Sequence, residues 1–424
     1  MIFHIDGNSF YASCERLFRP DLCNKPIAVL TNNDGIIIAL SKECKALGYK
    51  RGDVFFKLRD KLAKDGVAVF SSNYTLYADI SARMNLIYCR FTPENEIYSI
   101  DESFLFFPKW RNVDYSEIGF KIKETVKKEI GMPVSIGIAP TKTLAKFCNK
   151  LAKNRNGVCD YNKIDADFEL SKYPVEDIWG IGYSKSAFLK KHGIYKALDL
   201  KRYPLDKAKK NLTVVGFRTV QELNGIPANV KAEQGTRQNI ICSKSFSSAV
   251  LELDPIIKTL ADYTREAVSR MREDNLSCRY ISVFLMTNPY SEGGQYYNQA
   301  SAELNEPSSY FPDILHISIE LLKSIYKEGY KYRKVLINLM GLVESSKKQL
   351  DLFEDFEGNA KKERNEKIMK SFDTITNKYG RNSISVASNL LVKNLSDKAE
   401  CWEMKREYLS PEYTTKISDI PKVR

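Results

Sequence analysis

Histidine is scarce in this chain, with three among 424 residues, and none clusters with the nine cysteines, which include no Cys-x-x-Cys pair. An odd count without that spacing argues against a disulfide framework and a zinc site, and predicts plain thiols in a reducing compartment. Long apolar runs are missing too: none approaches the roughly 18 residues that a membrane-spanning helix needs. The opening "MIFHIDG" reaches an Asp after only a few apolar residues, so a cytoplasmic protein with no membrane partner is expected. No low-complexity tract or usable internal repeat occurs. Acidic residues are outnumbered, 53 against 65 basic, leaving a net charge of +12. That balance favours a polyanionic partner such as nucleic acid over a neutral small substrate, although a ribosomal or membrane-surface role would carry the same charge.

What is present fills two to four ordinary globular domains, with 43% hydrophobic and 28% charged residues. Short β runs at 2–5, "PIAVL", "GIIIAL" and "VSIGIA" alternate with helical spacing at 12–18, 74–89, "FKIKETVKKEI" and "TKTLAKFCNKLAK". The alternation predicts an α+β domain whose sheet is covered by helices on one face. Residues 165–232 read as a smaller helical unit. Within it, Gly180-Ile181-Gly182 stands before a basic helix, where backbone amides can hold a phosphate; an ordinary αα-hairpin turn fits the tripeptide equally well. From 239 to 343 the pattern is β-α-β-β-α-β, a module with one free sheet face. Arg237, Lys244 and Arg279 sit at or near its strand ends, as candidate phosphate contacts or simply solvated charges.

Asp101-Glu102 interrupts two apolar β runs in "YSIDESFLFF". On a regular strand the two carboxylates would face opposite ways, so they share a site only if the pleat breaks there. Asp6, at the end of the first strand and followed by Gly7, adds a third carboxylate. Divalent Mg²⁺, which takes oxygen ligands and needs few of them, would compensate all three. Each piece alone is usually a turn or a solvated loop. The cationic complement is Lys142, Lys146, Lys150 and Lys153, one face of a helix opposite Leu144, Phe147, Cys148 and Leu151. Residues 121–160 hold nine Lys/Arg and three Asp/Glu. Four like charges on one face await an anion, or are merely solvated.

"DGNSFYASCE" (6–15), "NNDGIIIALSKECKALGYKRGD" (32–53), "FSSNYTLYADIS" (70–81), "EIYSIDESF" (96–104), "SIGIAPTKTLAKFCNKLAK" (135–153) and "DIWGIG" (177–182) together resemble the ordered blocks of Y-family DNA polymerases. "QNIICSKSF" and "MKREYLSPEYTT" narrow the resemblance to the UmuC branch, the catalytic subunits of bacterial lesion-bypass polymerases of the SOS response. The resemblance implies an α+β multidomain, right-hand polymerase: palm at 1–20 and 74–164, small fingers at 21–73, a helix-hairpin-helix thumb at 165–233, a βαββαβ little finger at 239–343, and at 344–424 a clamp-binding peptide with a partner-binding tail. It implies error-prone, template-directed synthesis across damaged bases, with primer-template DNA and dNTP as substrates, in the cytoplasm at the nucleoid.

By the same resemblance Asp6, Asp101 and Glu102 are catalytic and hold two Mg²⁺ ions, with the Gly7 carbonyl as a further ligand. Phe10, Tyr11, Lys45 and Lys153 fall at nucleotide-binding positions, Tyr11 as the gate against a ribose 2′-hydroxyl. Lys142, Lys146, Lys150, Gly180, Gly182, Arg237, Lys244 and Arg279 are the DNA-binding candidates. One departure is Lys42, which stands where many relatives place a phosphate-binding Tyr. "QLDLF", with Gln349, Leu350, Leu352 and Phe353, resembles the pentapeptide that docks on the sliding clamp. The tail resembles the region associated with a UmuD′-like subunit and RecA. Two rivals remain from the residues alone: a palm-type nucleotidyl cyclase, and a DNA-binding scaffold that has lost catalysis.

Overall fold

The computed structural model describes residues 1–228, 237–290, 294–345, 356–380, 383–384 and 406–421, except the side chains of 244, 247 and 356–362. The clamp-like Gln349, Leu350, Leu352 and Phe353, and the Lys244 side chain, lie outside this description. The chain divides into two compact units, Met1–Glu233 with Lys405–Arg424, and Gln234–Met404. The segment expected as one tail from 344 is thus shared between them.

In the first unit a five-stranded sheet runs in the order Asn95–Ile97, Glu102–Phe106, Ile2–Gly7, Val134–Ala139, Val158–Asp160. The last pair is parallel and the others antiparallel. Side chains alternate across it. Phe3, Ile5, Leu105, Ile136 and Ile138 pack in one core with Met84, Ile122 and Val126 of the helices Tyr74–Cys89 and Tyr115–Glu129. His4, Phe104 and Gly137 belong to the other pleat face, and the helix Lys142–Ala152 lies there, with Asn149 Nδ2 donating to the carbonyls of His4 (2.9 Å) and Ser135 (2.7 Å). Helices therefore cover both faces, where the sequence pattern suggested one. The reason is Gly137, whose missing side chain lets a helix with a half-polar face settle directly on the strand.

A three-stranded sheet, Ile37–Leu40, Ile27–Leu30, Ala68–Ser71, has its own core with Cys44, Phe55 and Leu62. Five helices between Ala166 and Leu223 enclose another. Segment 406–421 returns to this unit: the Ser71 amide donates to the Tyr408 carbonyl (2.9 Å), and the Tyr408 ring meets Phe55 edge-on.

The second unit realises β-α-β-β-α-β. Its antiparallel sheet is ordered Tyr297–Ser308, Leu276–Thr287, Tyr332–Met340, Asn239–Val250. Helices Leu253–Glu273 and Phe311–Ile325 share one core with it. A further helix, Phe356–Tyr379, joins that core through Met369, and Asp373 pairs with Arg272 (2.7 Å). Its stretch reads as polar in sequence because a single-sided apolar contact of this kind leaves little periodic signal.

Candidate active site

The first strand and its neighbour set the site. Antiparallel register places Asp6 directly opposite Glu102, and His4 opposite Phe104. Residues at this alternation share a face, so both carboxyls point towards the Lys142–Ala152 helix. Asp101 precedes the strand in a bend, which is the break in the pleat that a shared site requires. Its main-chain carbonyl accepts from the Gly7 amide (2.9 Å), and its carboxylate accepts from the Ser99 hydroxyl (2.5 Å). The bond from the Gly7 amide holds residue 101 beside residue 7 at the end of the first strand.

Each lysine of the expected cationic face has found a carboxylate inside the protein. Lys142 Nζ donates to both oxygens of Glu96 (2.8 Å), Lys146 to Glu102 (2.8 Å), Lys150 to Asp177 (2.6 Å), and Lys153 lies 2.8 Å from Asp6. Lys142 is 4% exposed, which corrects its reading as a DNA contact: it is a structural cation against the rings of Phe104 and Phe106. Lys142→Met is expected to lower stability by about 2 kcal/mol, because Glu96 loses its counter-charge. The slope of log binding constant against log salt should stay unchanged, whereas loss of a phosphate-contacting lysine would reduce it by about one.

The electrostatics are those of carboxylates that need cations. Burial pushes the Asp6 carboxyl up, opposed by the ammonium of Lys153. Burial acts on Glu102 in the same sense, but His4 and Lys146 outweigh it and hold Glu102 down at about 2. Burial also pushes His4 down, so at neutral pH it is uncharged and Lys146 is the effective counter-charge. Lys146 sits over Tyr98 (4.5 Å) and Trp179 (5.3 Å), whose indole donates to the Tyr98 hydroxyl. Lys146 and Trp179 line an open cleft of about 240 Å³ with Asp6, Glu102, Lys150 and Lys153. The carboxyls face lysines, and among the described residues no group of three or more His, Cys, Asp or Glu is arranged to hold a metal.

Tyr11 opens the neighbouring helix Phe10–Leu17. Its ring stacks on Tyr77 (4.5 Å, 15°) and meets Tyr74 edge-on, within the field of Asp101 and Arg51. Phe10 is buried at 3% exposure, and a Cβ on Gly7 would come within 2.8 Å of its ring. Phe10 is therefore a core residue, and the close approach that Gly7 permits is made by Phe10. Lys42 and Lys45 are exposed in the short helix Lys42–Ala46. Gly180 has φ +89 and Gly182 caps the helix Tyr183–Lys191, with Lys185 Nζ donating to the Gly180 carbonyl. In the second unit Arg237 pairs with Asp274 (3.1 Å) and Arg279 with Glu303 (3.0 Å).

Sequence reasoning passed over Glu15 and Tyr77, although both lie in the blocks quoted above. Both are fully buried, and the Tyr77 hydroxyl donates to Glu15 Oε1 (2.6 Å). Burial raises Glu15 from 4.5 to about 7, against the opposing effects of Tyr77, Ser410 and Arg19. The folded chain thus holds this proton more tightly than the unfolded one. The resulting stability is full below pH 4.5 and is lost as pH climbs through 7. Relative to Glu15→Gln, the wild type should lose about 3 kcal/mol between those limits, read from urea unfolding at pH 5 and pH 8.

Comparison with known proteins decides the family. The impB/mucB/samB family model matches residues 5–150, its C-terminal domain matches 237–352, and a domain of unknown function matches 366–423. Protein UmuC of Salmonella typhimurium is 38% identical over 99% of both chains. The chain belongs to the UmuC-type Y-family DNA polymerases. DNA polymerase IV of Bacillus velezensis is 30% identical over 97% of this chain and 98% of its own. The Y-family polymerase chimera Dbh-Dpo4(243-245)-Dbh shares the fold, with TM-score 0.65, 18% identity, 81% of this chain and 99% of that chain covered. This UmuC-type polymerase is a DNA-directed DNA polymerase of translesion synthesis, in a family that uses divalent metal generally. No described helix is long and apolar enough to cross a membrane.

Proposed function

We propose that Asp6, Asp101 and Glu102, with the Gly7 carbonyl, hold two Mg²⁺ ions for transfer of a deoxynucleotide to a primer 3′-hydroxyl opposite a damaged template base. The observation that carries this reading is the pairing of Asp6 with Glu102 at adjoining strand positions, each carboxylate balanced by a lysine ammonium in an open cleft. A hard, oxygen-only donor set under such a demand for positive charge fits Mg²⁺. When bound, the ions would neutralise the phosphates and lower the pKa of the attacking hydroxyl.

The chain's own residues do the rest by positioning and charge. Lys153 and Lys146, freed from their carboxylates, turn to the triphosphate and the primer end, and exposed Lys45 supplies a second grip from the fingers. Tyr11 lies under the sugar. The Gly180–Gly182 turn offers backbone amides to a DNA phosphate at the start of a basic helix, and Lys150, Arg237, Lys244 and Arg279 follow the backbone elsewhere. In this assignment the five-stranded sheet is the palm, the three-stranded sheet the fingers, the helices from 166 the thumb, and the second unit the little finger. Gln349, Leu350, Leu352 and Phe353 dock on the sliding clamp. The region beyond 354 meets a UmuD′-like subunit and RecA at the nucleoid.

Extension of a primed template across an abasic site by wild type and by Asp101→Ala, with equal folding checked, tests the assignment. An Asp101→Ala enzyme as active as wild type would sink it.

A further inference from the structure

Segment 406–421 is a strap that touches the start of the helix Tyr74–Cys89 and the end of the helix Phe10–Leu17, which carries Tyr11. At the three-stranded sheet the Tyr408 amide donates to Ser71 Oγ (3.0 Å) and the Glu407 amide to Asp34 Oδ2 (2.8 Å). One turn further, Asn73 Nδ2 donates to Ser410 Oγ (3.0 Å) and to the carbonyls of Ser410 (3.2 Å) and Pro411 (3.3 Å). Asn73 Oδ1 meanwhile caps the Leu76 amide at the start of the helix Tyr74–Cys89. The strap is thereby bound to the first turn of the helix whose Tyr74 and Tyr77 form the wall behind Tyr11.

The same serine reaches the second helix. Its hydroxyl lies beside the carboxyl of Glu15 and favours the ionised form, although Glu15 Oε2 makes no hydrogen bond of normal geometry. Glu15 is four residues after Tyr11, one turn along the same face, and its Oε1 receives the Tyr77 hydroxyl. Tyr413 stacks on Phe18 just past the end of that helix (4.7 Å, 16°). A chain of contacts therefore runs from Ser410 through Asn73, the cap of the helix Tyr74–Cys89, to Tyr77 and the ring of Tyr11, between residues more than 300 positions apart in sequence. A ring that excludes one hydroxyl works only while it cannot yield, since a displacement of about 1 Å relieves the collision. Tyr11 is half-exposed, so its stiffness must come from what stands behind it.

We propose that this strap determines sugar selectivity: Ser410, with Asn73, Glu15 and Tyr77 as positioning residues, holds the Tyr11 ring where a ribose 2′-hydroxyl would collide with it. The inference rests on the reading of Tyr11 as the sugar gate. The test is the ratio of kcat/KM for a dNTP to that for the matching rNTP, measured on the full chain. Tyr11→Ala should collapse the ratio. Ser410→Ala and Tyr77→Phe should each lower it about two- to tenfold, the range one hydrogen bond spans, through better rNTP incorporation rather than slower dNTP incorporation. In a Tyr11→Ala background neither should lower it further. Wild-type ratios in folded Ser410→Ala and Tyr77→Phe, with Tyr11→Ala collapsed, overturn the inference and leave the gate standing. A wild-type ratio in Tyr11→Ala removes both. Should Ser410→Ala fail to fold, Tyr77→Phe decides alone, because it keeps the stacked ring and loses only the hydroxyl.

Discussion

Asp101→Ala is expected to slow dNTP incorporation on the order of a thousandfold at saturating Mg²⁺ while the unfolding midpoint stays at the wild-type value. The size follows from the chemistry: phosphoryl transfer leaves the protein little to do except place and neutralise charge, so a lost ligand has no substitute. The unchanged midpoint follows from the local structure. Asp101 is half-buried, its side chain accepts from Ser99, and the bond that ties it to the first strand runs from the Gly7 amide to its main-chain carbonyl, which alanine retains. Glu102→Ala would be a poorer test. It strands Lys146 among Tyr98, Phe104 and Trp179 without its anion, so lost activity and lost stability would arrive together. Single-turnover rates and thermal melts of the Asp101 variant separate the two.

Gly137→Ala should leave no stably folded first unit, a loss above about 4 kcal/mol. An added Cβ would stand 2.0 Å from the Ala145 carbonyl oxygen and 2.2 Å from the Asn149 amide nitrogen. Both are backbone atoms of a helix, and neither can rotate aside. The helix would have to lift from the strand, breaking the Asn149 bonds to His4 and Ser135 and drawing Lys146 and Lys153 away from Glu102 and Asp6. Gly182→Ala is the control, since φ there is −86 and no atom lies within 4 Å of the added carbon. Denaturant unfolding of both variants reads the difference, and a Gly137→Ala protein as stable as the control would show that the helix does not depend on this contact.

Local pattern made much of the molecule legible. Short β runs at 2–5 and 134–139 marked the strands Ile2–Gly7 and Val134–Ala139, helical spacing marked Lys142–Ala152 and Leu253–Glu273, and the order of elements from 239 spelled out β-α-β-β-α-β. A strand ending in Asp-Gly and a carboxylate pair between two β runs pointed to the carboxylates proposed as metal ligands, because charge at such places demands compensation and that demand is a property of residue type.

What answers the demand depends on which residues lie across the fold, and a one-dimensional pattern cannot carry that. Lys142 looked like its three neighbours until Glu96 was found beneath it, and Phe10 looked like a nucleotide contact until Gly7 was found to admit its ring. The polar stretch from 406 holds no periodicity that could announce its return to Ser71 and Asn73, since hydrogen bonds to a distant sheet edge leave no trace in local hydropathy. Sequence alone therefore determined the elements and the chemistry available to them. Tertiary structure decided which charges are satisfied within the protein and which remain for a ligand, because the energy of a charge is set by its neighbours in space.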